Sequence, residues 1–155
     1  MSYSIKSIAL ATATAIVFSG AAFAGSDTPE AKAQNDATLQ IAVTNASKAW
    51  KDAFNAGDAA GATALYEDDA IMVVKPFGTF KGKTEILAFW TNLVNKGFDD
   101  VIYSETTTTI LDGLSARVSA SWTMNNAHGI ITNEYWVLQE DGRALLREDH
   151  FEVAQ

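Results

Sequence analysis

The feature that most constrains this chain is a change of hydrophobic period at Gly97. Ahead of it, apolar residues recur at three- and four-residue steps. Leu39, Val43, Ala46, Trp50 and Phe54 form one such stripe, and Ile86, Leu87, Phe89, Trp90, Leu93 and Val94 form another. Behind it they alternate, most cleanly in Ala116, Val118, Ala120, Trp122 and Met124. A period near 3.6 marks a helix face, and a period of two marks a half-buried strand. Helices gathered in front and strands gathered behind predict an α+β fold, with three N-terminal helices packed on a curved, mainly antiparallel sheet.

Turn and cap residues place the elements. The first helix is predicted from Asp36 to a stop at Gly57, and Asp58 caps a short second helix, Ala59–Tyr66. A short strand, Ala70–Val74, follows. The third helix carries the second stripe and closes at Gly97. Strands are then predicted over Val101–Leu111, Ala116–Met124, Ile130–Leu138 and Ala144–Val153, with turn signals at Asp112-Gly113 and at Glu140-Asp141-Gly142. The run Gly78 to Thr84 has the look of a phosphate-binding loop. It has three residues between its glycines instead of four and no parallel βαβ unit around it, so it reads as a turn leading into the third helix, with Thr84 and Glu85 at the helix start.

The first residues are a leader rather than part of the fold. Lys6 supplies a short positive start, Ile8 to Phe18 is apolar or small, and Ala22-Phe23-Ala24 is small at both positions a signal peptidase reads. This predicts a signal peptide over 1–24, cut before Gly25, and a periplasmic or secreted protein that does not span the membrane after cleavage. Residues 25–35 are polar and aperiodic, and are expected to be a flexible lead-in to a domain over 36–155. The chain carries 19 acidic and 11 basic residues, and losing Lys6 makes the remainder one unit more negative than the full chain's −8. Such a surface disfavours nucleic acid and anionic lipid. The absence of cysteine excludes disulfides, two histidines offer little for a metal, and no cofactor motif is present.

The run from Trp50 to Asp58, the run from Ala64 through Tyr66 to Ala70, then Gly82 and Ile86, and finally Glu134 to Trp136, Asp141 to Arg143 and Asp149-His150 resemble the SnoaL-like group. That group belongs to the nuclear transport factor 2-like superfamily, with the ketosteroid isomerases and scytalone dehydratase. The resemblance covers Thr38 to Val153. It implies a cone whose pocket opens between the first helix and the concave sheet face, and a homodimer formed through the convex face. Isomerases of this kind place an aspartate before a proline as the base beside a carbonyl. Here Lys75 precedes Pro76, which removes that base.

The resemblance's register puts Glu134 and His150 on adjacent strands facing the cone, where they would form an acid–base pair, with Tyr66 as a third catalytic candidate. The bland alternative is a solvated glutamate and a histidine closing a network at the rim. His128 is expected to be exposed. Trp50, Phe54, Phe89, Trp90, Trp122 and Trp136 are candidates to line an apolar pocket for a small apolar or aromatic molecule, and equally to be ordinary core. Asp69 either joins that pocket or anchors the chain as it enters the first strand. Two functions follow: a cofactor-free isomerase, cyclase or lyase, or a non-catalytic ligand-binding or dimeric assembly module.

Overall fold

The stripe from Leu39 to Phe54 does form one buried helix face, but the helix that carries it is longer than the stripe. The computed structural model describes residues 28–154, and its first helix, α1, runs over Pro29–Asn55. Thr28 caps it by accepting a hydrogen bond from the Ala31 amide at 3.1 Å, and Pro29 occupies the first turn, where a missing N–H is harmless. This corrects the expectation of a flexible lead-in for the part from Pro29 onward: the residues lack an apolar period because they are exposed, and cap and helix geometry order them instead. The expected signal peptide over 1–24 lies outside the described residues.

Gly57, at a φ of 75°, turns the chain out of α1, and Asp58 accepts from the Gly61 amide at 2.8 Å to start α2, Ala59–Thr63. The expected helix to Tyr66 is cut short, because Tyr66 already belongs to strand β1, Tyr66–Lys75. Beyond Pro76 comes a strand that the sequence reading took for a turn, β2, Gly78–Lys81, antiparallel to β1. Helix α3, Gly82–Asn95, follows, its start secured by the Glu85 carboxylate accepting from the Lys81 amide at 2.7 Å. Ile86 and Trp90 are buried on α3, whereas Leu87 lies off the stripe and is exposed.

The remaining strands are β3, Ile102–Asp112, β4, Ser115–Thr123, β5, His128–Leu138, and β6, Ala144–Val153. They form the expected meander within a six-stranded sheet of order β2-β1-β6-β5-β4-β3, antiparallel except for β1 with β6. Asn55 fastens the end of α1 to the start of β3 with two hydrogen bonds to the Val101 backbone, at 2.7 and 3.1 Å.

Two irregularities decide which side chains face the helices. In β5 an extra residue at Thr132–Asn133 interrupts the pairing with both neighbours, so Ile131 and then Glu134 and Trp136 point inward. In β6 an extra residue, Arg147, separates Leu146, paired with Trp136, from Glu148, paired with Tyr135. The inward set is therefore Ala144 and Leu146, then Asp149 and Phe151. Between sheet and helices lies an aromatic core. Trp50 stacks on Phe54 at 5.4 Å, Trp90 meets both edge-on, and Trp90 stacks on Phe151 at 5.7 Å. Pairs of this kind add about 0.5–1.5 kcal/mol each beyond the area they bury.

Candidate functional site

Glu134 and Asp149 face each other across β5 and β6, and both are buried, at 3% and 4% exposure. Neither is left to apolar surroundings. Tyr103 donates to Glu134 Oε1 and the Trp136 indole to Oε2, each at 2.9 Å. Tyr66 donates to Asp149 Oδ2 at 2.6 Å and itself accepts from the Trp90 indole at 3.3 Å. Lys51, from α1, holds its ammonium 4.1 Å over the Tyr103 ring.

The two carboxyls differ in their donors. Burial and then the charge of Glu134 push the Asp149 carboxyl up to about 8, against the opposing hydrogen bond from Tyr66. Burial also raises Glu134, but Trp136, Tyr103 and the charge of Lys51 all pull it back toward ionisation. One carboxylate and one neutral acid at pH 7 is the usual outcome when two such groups share a site. Burial drives the Tyr66 and Tyr103 hydroxyls well above their ordinary range, so both remain donors.

Asp149 is the acid that reaches open space. It lines a small inner cavity of about 20 Å³ together with Trp50, Trp90, Tyr103, Trp122 and Phe151. That volume holds about one oxygen-sized group. Trp50 and Trp122, two residues of its lining, have buried indole N–H groups without a protein partner. Outside it, a far larger apolar groove of about 760 Å³ runs between α3 and the sheet end, with Phe80, Phe89, Phe98 and Val153 among its walls. Trp122, Met124 and Phe151 line both spaces and so form the partition between them. Trp122 is held flat against the backbone at Gly129, where an added Cβ would fall 2.7 Å from the indole and 1.9 Å from the Glu152 carbonyl.

The expected pair of Glu134 and His150 does not form. His150 lies on the outer face, 35% exposed at its side chain and 3.8 Å from Glu148 Oε2. Alternation from Ala144 and Leu146 would carry Glu148 and then His150 inward, and the Arg147 bulge breaks that count. Asp69 is also outside, exposed beside Glu67, Asp68, Gln139 and Arg147 in a polar surface depression. Of the other candidates, Trp50, Trp90 and Trp122 line the inner cavity and Phe89 the groove, while Phe54 and Trp136 are core behind them. Tyr66 is buried against Asp149, at the end of the network. Sequence reasoning missed Asp149, Tyr103, Met124, Phe151 and Lys51. Tyr103, an aromatic residue heading a threonine-rich strand, was the one clear signal among them. Among the described residues no group of three or more metal-binding side chains occurs, and no helix is long and apolar enough to cross a membrane.

A cone of this shape, with helices on the concave face of a six-stranded bent sheet, is the nuclear transport factor 2-like fold. Residues 48–145, more than half of the chain, match the SnoaL-like domain model, and the chain belongs to that family. Similar solved structures include a candidate scytalone dehydratase from Novosphingobium aromaticivorans, at 10% identity and a TM-score of 0.68, covering 79% of this chain and 89% of that one. A ketosteroid isomerase-like protein from Erwinia carotovora atroseptica has 16% identity and a TM-score of 0.64, covering 74% and 95%. ActVI-ORFA from Streptomyces coelicolor has 17% identity and a TM-score of 0.62, covering 74% and 97%. Identities this low establish the shared fold alone. No curated protein matches the chain.

Proposed function

We propose that this is an exported small-molecule-binding protein whose ligand lies along the α3 groove and presents one oxygen atom to the inner cavity. The observation that carries this reading is the pairing of a roomy apolar groove with an oxygen-sized cavity behind a shared wall. A flat apolar body suits the phenylalanines of the groove. A carbonyl or hydroxyl oxygen suits the cavity, which Asp149 lines as a neutral acid and whose lining residues Trp50 and Trp122 have indole N–H groups without an acceptor. Met124, unbranched and part-buried, is the wall member best able to make way.

The chemistry open to such a site is proton donation to a ligand oxygen without a cofactor, as a cofactor-free isomerase, cyclase or lyase would require. The tight aromatic packing of Trp50, Trp90 and Trp122 favours a second reading, binding without turnover, because it leaves no room for a whole substrate beside Asp149. Export rests on the leader over 1–24, and a homodimer through the convex sheet face on the family resemblance.

Tryptophan fluorescence titration with a panel of flat aromatic ketones and phenols tests the binding reading. Asp149→Asn keeps a donor and is expected to retain affinity, whereas Asp149→Leu is expected to weaken it at least tenfold, about 1.4 kcal/mol. Affinity should fall as pH rises through about 8, where Asp149 loses its proton. A panel that binds equally well to Asp149→Leu at every pH would sink the placement of the oxygen. Product analysis of the bound members then separates turnover from plain binding.

A further inference from the structure

We infer that Lys51 is a positioning residue, whose ammonium on the Tyr103 ring holds the negative charge of the buried pair on Glu134 and so leaves the proton on Asp149. The inference rests on the reading above that Asp149 is the donor, and it adds what keeps it one.

The hydrogen-bond pattern fixes where the charge sits. Both oxygens of Glu134 meet donors, the Tyr103 hydroxyl and the Trp136 indole. A protonated glutamic acid would need an acceptor for its own hydrogen; the Trp136 indole is a donor only, and Tyr103 could accept only by turning away the hydrogen it now gives to Glu134. Asp149 receives one donor, Tyr66, at Oδ2, which leaves Oδ1 to carry a proton. A buried carboxylate still needs a counter-charge. From α1 that is Lys51, which donates to Ser47 Oγ at 3.1 Å and makes no ion pair within 4 Å among the described residues. Its neighbours Lys48 and Asp52 pair with each other on the exposed side. Of the titratable side chains on β1 and β3, Tyr66 and Tyr103 are the ones hydrogen-bonded to the pair among the described residues. On β6, Glu148 and His150 are turned to the outer face.

Lys51 acts through the ring rather than by contact. A cation over the face of a phenol draws electron density from it and makes its O–H a stronger donor. The half-buried ammonium is itself held below its ordinary range by loss of solvent, partly offset by attraction to Glu134. The attraction is mutual, so each charge must favour the other by the same amount.

The test is carboxyl-carbon NMR titration of the whole protein without ligand, following Glu134 and Asp149 separately. In the wild type Glu134 should titrate first and Asp149 last. Lys51→Met is expected to raise the Glu134 midpoint by about one pH unit, a tenfold change in proton affinity, and Lys51→Arg to restore it. Should the methionine variant fold poorly, Glu134→Gln gives the reciprocal reading, a Lys51 ammonium midpoint lowered by a similar amount. An unmoved Glu134 midpoint in Lys51→Met, an arginine variant that behaves like the methionine one, or a Lys51 midpoint indifferent to Glu134→Gln each overturns the role. No ligand enters these measurements, so a failed ligand panel and a failed role for Lys51 are distinguishable results.

Discussion

The two faces of β5 and β6 carry similar residue types in opposite circumstances. On the inner face, Glu134 and Asp149 are buried, and their side-chain hydrogen bonds come from the Tyr66 and Tyr103 hydroxyls and the Trp136 indole. On the outer face, Glu148 and His150 are solvated, 3.8 Å apart, and Arg147 grips Glu67 with two bonds at 2.6 and 3.0 Å. Ion pairs in water add little, whereas buried carboxyls are expensive to disturb once their donors are committed. Adjacency in sequence therefore says nothing of consequence here. Asp149 and His150 share a peptide bond and differ in almost everything else.

The comparison can be broken most forcefully from the inside. Glu134→Ala strips the Tyr103 hydroxyl and the Trp136 indole of their acceptor, and we expect a loss of about 3 kcal/mol in urea unfolding. Replacing Asp149 by asparagine should act mainly on the pH profile. The folded acid holds its proton up to about 8 and the unfolded one only to about 4, so its contribution is full below the lower value and is lost as pH rises to the upper. The stability advantage of the wild type over Asp149→Asn should shrink steadily across that window, and a constant difference would contradict the burial of a neutral acid. On the outside, Arg147→Ala forfeits the grip on Glu67, and about 0.5–1 kcal/mol is expected by the same assay. His150→Ala is the smallest change, within about 0.5 kcal/mol, and should leave ligand binding intact. A large effect at His150 would mean that the outer face is not the passive one.

Much of this was legible in advance. Leu39, Val43, Ala46, Trp50 and Phe54 repeat at helical spacing and are the buried face of α1, and the alternation in β4 gave its inward side without error. Period reads reliably where the backbone is regular. It misleads at a bulge, since one extra residue exchanges the two faces for everything downstream. Glu134 sits just past such a point and was placed inward by family register rather than by alternation. His150, placed inward by the same register, sits past the Arg147 bulge and lies on the outer face. The strand β2 was missed because two glycines bracket only Thr79, Phe80 and Lys81, too short a run to show a period. Asp149 could not be singled out, because its character comes from burial and from two partners distant in sequence, Glu134 and Tyr66.

The Arg147 bulge gives this sheet an unusual route of descent. In a lineage of such proteins the group offered to the cavity need not change by substitution. Were the extra residue relocated a few positions toward the carboxyl end, the count from Leu146 would run unbroken through Glu148 to His150: Glu148 would stand opposite Glu134 where Asp149 now does, and an imidazole would come inward near the place of Phe151. Every residue of the strand would be conserved, and an alignment would record no event at the site. A relocated bulge would thus change the side chains turned toward the cavity while the β6 sequence stayed the same.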